Sequence, residues 1–263
     1  MRILRSCFLL LAIAIACHAT SFAQAENVPV SHPVYDFLKR MEVKGHIVKY
    51  HDAILPLSRR EVAQFLEALD QKQSSLTERE GSYLQRHISE FMYELNDTTS
   101  PPNSMIDGAG LSGYFSSLSD DRQRYLYALT DSNLTFFVNG LLNLDGRQIT
   151  GDALGTKRVW FGQFGGRIRG TVFQKLGYYL HGTNAQFYGS RQLLQRDRFI
   201  SQAYTLGVTN TKNFDFVEGY VRYDANIVSV QLGRERLLWG SGFDQKMIAS
   251  DNVRVYDFIR GDV

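Results

Sequence analysis

Residues 159–173 read VWFGQFGGRIRGTVF. In an extended chain Trp160, Phe164, Ile168 and Val172 fall on one side, and Gln163, Arg167, Arg169 and Thr171 fall on the other. Successive side chains of a strand point to opposite faces, so this segment predicts a ribbon with one apolar and one polar side. The same alternation recurs in 134–145, where Leu134, Phe136, Val138, Leu142 and Leu144 oppose Thr135, Phe137, Asn139, Asn143 and Asp145. It recurs again in 176–183, 203–208, 217–224 and 228–233. Several of these six candidate strands exceed the roughly five or six residues usual in soluble sheets.

A soluble sandwich would bury its apolar faces against each other. A transmembrane barrel would turn them to lipid and line its interior with polar groups. Strand length favours the barrel, as do aromatic residues near strand ends (Trp160, Tyr178, Tyr188, Tyr204, Tyr223, Trp239) and interior glycines (Gly162, Gly166, Gly170, Gly182). On that reading Arg167, Arg169, Glu218 and Arg222 face the lumen as a charge-balancing ladder. Six strands are fewer than the roughly eight of the smallest known barrels, and 260–263 lie in a stretch without strand alternation. The sequence therefore reads as a truncated chain holding part of a larger barrel, with a six-stranded pore built from several chains as the alternative.

Upstream the period changes. Val34, Phe37, Leu38 and Met41 recur at helical spacing, and Gly45 supplies a stop. Ser58…Glu61 and Thr77…Glu80 are capping-box patterns that open two further helices. The second carries Val62, Phe65, Leu66 and Leu69, and the third runs from Tyr83 through Leu95. Residues 98–107, TTSPPNSMID, read as a linker.

The extreme N-terminus carries Arg2 and Arg5 and then FLLLAIAIAC at 8–17, an apolar run too short to span a bilayer. Ala23-Gln24-Ala25 supplies the small residues of a secretory cleavage site before Glu26. Ala14-Ile15-Ala16-Cys17 is a looser lipoprotein-type box without the usual leucine. Both cysteines, Cys7 and Cys17, lie in this leader, which excludes a disulfide or a cysteine nucleophile from the exported part. Across 263 residues, 29 Lys and Arg face 27 Asp and Glu, a balance unlike that of a nucleic-acid binder. A mean hydropathy of −0.23 argues against a polytopic helical membrane protein but not against alternating barrel strands.

Tyr35, Lys44-Gly45, Pro56-Leu57 and Arg60-Glu61-Val62-Ala63 resemble one copy of a surface-layer-homology module over about 40 residues. The resemblance implies a periplasmic tether to peptidoglycan through residues 31–97; a small helical domain that packs against its neighbour is the plainer alternative. The segment 233–263, GRERLLWGSGFDQKMIASDNVRVYDFIRGDV, resembles the signature stretch of the Wzi family of capsule-assembly outer-membrane proteins. Gly233-Arg234, Trp239-Gly240-Ser241-Gly242, Met247-Ile248, Ser250-Asp251-Asn252 and Tyr256-Asp257-Phe258 carry the match, with Ser241 where proline is frequent. That resemblance implies a large barrel of a Gram-negative outer membrane that anchors capsular or surface polysaccharide as a lectin, without catalysis or cofactor. A porin-like channel tethered to peptidoglycan is the alternative.

Sugar rings stack on aromatic side chains, and acidic sugars favour bidentate arginine. Arg234, Arg236 and Trp239, with Asp251 and Asn252, offer both types and are the candidate polysaccharide-binding residues. The alternative places Trp239 in an interfacial aromatic girdle and pairs the arginines with Glu235 or lumen acids. Gly108-Ala109-Gly110-Leu111-Ser112-Gly113 spells a dinucleotide fingerprint but lacks the flanking strand and helix. The histidines never sit at metal-ligand spacing on one helix face. The expected class is therefore mainly β. A signal peptide (1–25) and a small periplasmic α-helical domain (26–97) precede a linker and barrel entry (98–131). The first part of a transmembrane antiparallel β-barrel in outer-membrane lipid follows (132–263).

Overall fold

The computed structural model describes residues 25–96, 103–106, 124–131, 133–151, 155–196, 200, 212–225, 227–242, 246–249 and 254–262. The chain is mainly β, built around one large antiparallel sheet.

The helical part comes first. Helix α1 spans Val34–Val43 and buries the anticipated Val34, Phe37, Leu38 and Met41. Gly45 ends it at φ +78°, where a β-carbon would be strained. A two-residue strand β1 (Ile54–Leu55) leads to α2 (Arg59–Asp70), and α3 (Glu78–Glu90) follows. Both capping boxes form: Ser58 and Glu61 exchange hydrogen bonds at the start of α2, and Thr77 and Glu80 do so at α3. The third helix stops at Phe91, and a separate short helix α4 (Met92–Asn96) continues the chain. Phe91 itself is fully buried in a cluster with Leu38, Met41, Leu66 and Leu84.

Short strands β2 (Asn103–Ser104) and β3 (Arg124–Tyr125) pair in parallel. The main sheet contains β4 (Tyr127–Thr130), β5 (Leu134–Ile149), β6 (Lys157–Val172), β7 (Leu176–Gly189), β8 (Asn213–Asp224), β9 (Ser229–Glu235) and β11 (Tyr256–Asp262). These seven strands pair in chain order as an antiparallel meander, and the sheet does not close into a barrel. The two-residue β10 (Leu238–Trp239) leaves the sheet and pairs with β1 of the helical part, matching Ile54 to Trp239. A four-residue helix α5 (Arg191–Leu194) follows β7.

Two sequence expectations change here. The anticipated linker and barrel entry, 98–131, contains β2, β3 and β4, which are too short to show a period. The final stretch, read as lacking a strand, is β11, in full register with β9 from Tyr256↔Glu235 to Asp262↔Ser229. Its outward positions are Asp257, Ile259 and Gly261, so a single apolar residue is all the alternation had to offer. The strand expected at 203–208 and the Gly108–Gly113 motif lie outside the described residues.

The register puts the anticipated apolar rows of the described strands on one face. Val138↔Ile168↔Leu180, Leu142↔Phe164, Tyr178↔Val221↔Leu232↔Ile259 and Tyr223↔Val230 are cross-strand neighbours. This face is bare: Leu142 is 78% exposed, Leu144 77%, Phe164 63%, Leu232 61% and Ile259 79%. Three polar cross-strand pairs border it, Gln148–Arg158, Asn184–Asp215 and Arg234–Asp257. The connections alternate in length as well. Three residues separate β4 from β5, three β6 from β7 and four β8 from β9 at one end, whereas seven separate β5 from β6, 23 β7 from β8 and 20 β9 from β11 at the other.

Candidate functional site

The opposite face is covered; it carries the sheet's buried polar groups towards the tight turns and, at the other end, a buried apolar cluster of Val159, Phe161, Phe187, Phe214 and Phe216 beneath Leu194 and Ile200. Ala25 lies against Gly177 so closely that a β-carbon there would sit 2.7 Å from the Ala25 backbone. Next to it Glu26 is wholly buried, and its carboxylate accepts from Arg169 Nη1 at 2.7 Å and from Thr171 Oγ1 at 3.4 Å. Arg169 also donates to the Tyr125 hydroxyl (2.8 Å) and lies over the Phe137 ring, 4.4 Å from its centroid. The helices join the same network: Arg59, the first residue of α2, pairs with Glu94 of α4, which lies 3.8 Å from Arg169. Burial costs the Arg59 charge hydration and Arg169 repels it, yet Glu94 holds its pKa above the ordinary value.

Asn27 reads a second set of strands. Its backbone N–H donates to the Tyr220 hydroxyl (2.6 Å), and its Oδ1 accepts from Arg222 Nη1 (2.8 Å). Its Nδ2 donates to Gln231 Oε1 (2.9 Å) and Glu235 Oε2 (3.3 Å), while Gln231 donates to the same Glu235 oxygen (2.9 Å). Tyr220 stacks on Tyr179 with ring centroids 5.3 Å apart. Polar groups that would be costly to bury alone are thus matched across the junction of helices and sheet.

Two neighbouring cavities beside this clamp share Val30, Ser31 and Arg236. One, of about 240 Å³, lies between residues 29–33 and the sheet, with Arg167, His181 and Glu218 in its wall. His181 Nδ1 stands 3.7 Å from the Glu218 carboxylate. The other, of about 250 Å³, lies between α1, Tyr50–Leu55 and the segment after β9. Asp52 is its centre, paired with Lys246 at 3.0 Å and Lys39 at 3.3 Å. A hydrogen bond to Glu42, countered by partial burial and aided by Asp52, holds Lys39 above its ordinary pKa. Among the described residues no group of three His, Cys, Asp or Glu is arranged for a metal ion.

The anticipated site residues separate. Arg167, Arg169, Glu218 and Arg222 do share the polar face, but Arg169 and Arg222 are spent on Glu26 and Asn27 rather than on an open ladder. Arg234 points to the apolar side and makes a bidentate pair with Asp257 at 2.8 and 2.9 Å. Arg236 is buried beneath the polar face at both cavities, and Trp239 is held in the β1–β10 pair. Arg234 and Arg236 are two residues apart, a spacing that a continuous strand would keep on one side; β9 ends at Glu235, and the chain turns Arg236 inward there. Asp251 and Asn252 lie outside the described residues. Sequence reasoning missed Glu26, Asn27 and Glu94; nothing in their neighbourhood marks them. Arg59 stood inside a recognised capping phrase, where a solvated role is the usual one.

Comparison of the chain with protein-family models, with curated proteins and with solved structures found no match.

Proposed function

We propose that this chain forms part of the wall of an outer-membrane β-barrel that holds capsular or surface polysaccharide at the cell surface without chemical turnover. One observation carries the reading: a seven-stranded sheet leaves bare the face that bears its apolar rows, while the face that bears Arg169, Arg222, Gln231 and Glu235 is the occupied one. A soluble sandwich would do the reverse. The tight turns at one end and longer connections at the other match the periplasmic and external ends of such barrels. The border of polar pairs steps along the ladder, because Gly189 is level with Val159, five residues beyond Asn184, and Gly219 rather than Asp215 is level with Arg234. Strands inclined to a membrane by about 35–45° produce an oblique border of this kind.

The glycan role rests on the resemblance of 233–263 to the Wzi family and on Arg236, which lines both polar cavities. The helical part, bonded to the long connection 236–255 through the β1–β10 pair and Asp52–Lys246, is proposed to sit in the barrel interior. A tether to peptidoglycan is a weaker element, since residues carrying that resemblance already serve the fold. Tyr35 Oη donates to the Val28 carbonyl and accepts from the Leu57 N–H, and Glu61 belongs to a capping box. The porin-like channel is the competing reading, and packing of 25–33 across the polar face counts against an open pore.

The test is a capture experiment on detergent-extracted protein with acidic surface polysaccharide, run beside Arg236→Gln and planar-bilayer conductance. Retention of glycan, weakened in the variant, without steady conductance supports anchoring. Open-channel conductance with no retention sinks it. Release of the protein from cells without detergent sinks the wall itself.

A further inference from the structure

The apolar face ends differently at its two borders. At the end of the longer connections Trp160 and Tyr188 are direct cross-strand partners, both pointing outward and both largely exposed. Trp160 lies flat across Gly146, its other partner, where a β-carbon would fall 2.3 Å from the indole. Just beyond this aromatic pair stand two exposed cations. Arg158 holds Gln148 Oε1 at 2.7 Å through its Nε, and Lys212 sits with its ammonium 5.9 Å from the Tyr188 centroid. The outward acids of the sheet among the described residues, Asp215 and Asp257, are engaged by Asn184 and Arg234.

Charge follows the same asymmetry. The three longer connections carry seven Lys and Arg, of which Arg236 and Lys246 are buried at the cavities, against four Asp, whereas the three tight turns carry Lys175 against Asp131. A basic, aromatic-edged rim on an apolar wall complements anionic headgroups at the level where Trp and Tyr settle.

We infer that Arg158, Lys212, Trp160 and Tyr188 form a docking surface for the phosphate groups of membrane lipids in the leaflet on the long-connection side. The inference rests on the wall reading above and adds to it a headgroup chemistry. Arg158 supplies a planar donor fork suited to a phosphate oxygen pair, and Lys212 supplies a mobile point charge. The two rings fix the depth at which those cations meet the lipid.

Flotation of the full chain with vesicles tests this. Phosphatidylcholine vesicles are compared with the same vesicles containing phosphatidic acid, at low and high salt and at matched ionic strength with inorganic phosphate. Phosphatidic acid is expected to raise the partition coefficient about 25-fold, in a salt-sensitive manner. Arg158→Gln and Lys212→Gln should each remove about fivefold of that gain while leaving recovery on phosphatidylcholine unchanged. Equal recovery on both vesicles, or a double variant that keeps the gain, overturns the inference but leaves the wall intact. Loss of the gain to inorganic phosphate beyond a chloride control shows a free-anion site and overturns it too. Displacement from the vesicles by a soluble acidic polysaccharide, abolished in the double variant, assigns the surface to glycan instead. Absence of flotation on either vesicle overturns both the inference and the wall.

Discussion

Glu26 and Arg169, 143 residues apart in the chain, meet at 2.7 Å with side chains only 1% and 3% exposed. The pair fastens the residue after the anticipated cleavage site to the middle of the sheet. Removing one partner strands the other charge in a dry setting. Glu26→Ala should therefore cost about 3–5 kcal/mol of the attachment of helices to sheet. Urea titration followed by limited proteolysis of the helical part reads it. A double variant, Glu26→Leu with Arg169→Met, should recover much of the loss; equal instability of single and double variants would contradict the account.

Asn27 carries the second attachment. Its side chain satisfies Arg222, Gln231 and Glu235 together, so Asn27→Leu leaves several buried polar groups short of partners. A destabilisation of about 1–3 kcal/mol is expected, visible as a lower urea midpoint with an unchanged slope.

The bare face gives a prediction of opposite sense. Phe164→Arg should leave the helical part untouched but lower the stability of the vesicle-inserted sheet by about 2–4 kcal/mol. Val48→Arg, in the exposed segment between α1 and β1, is the control. Equal tolerance of both substitutions would argue that no hydrocarbon meets the sheet.

Acid should loosen the helices. Burial, reinforced by the neighbouring His32, holds the His87 imidazole down to about 4 from an ordinary 6.5. The unfolded chain therefore binds a proton that the folded chain refuses, and stability falls as pH drops from about 6.5 towards 4. Burial pushes Glu90 up, but His32 and Arg59 more than reverse this and bring it to about 2, which extends the loss below pH 4.5. The expected cost of His87 alone is about 2 kcal/mol, and His87→Phe should flatten the upper part of the profile. Denaturation midpoints between pH 7 and 4 check it.

Gly146→Val should displace the Trp160 ring rather than unfold the strand, because the obstructed atoms are the far end of a side chain. In a Trp239→Phe background, Trp160 is the sole tryptophan, and its emission should change with little loss of stability.

Much of this architecture was legible in the residues. The alternation around Trp160, Phe164 and Ile168 assigned both faces, and Ser58…Glu61 and Thr77…Glu80 placed two helix starts to the residue. What was illegible is long-range. A period says that Arg169 faces the polar side, not that Glu26 will meet it. Likewise β11 escaped notice because an edge strand with Asp257 and Gly261 outward carries little apolar signal. Arg234 and Arg236 part for a related reason: a spacing of two predicts one strand face, and the end of β9 at Glu235 interrupts the alternation between them.

The β1–β10 pair joins Ile54 to Trp239, while Glu26 and Asn27 grip β6, β8 and β9. The helices are thereby bolted to the rest of the chain at two separate places. A pull applied to the segment after β9 would be passed through α1 and α2 as through a strut and returned to the strands at Arg169 and Arg222, sharing the load instead of peeling one strand away.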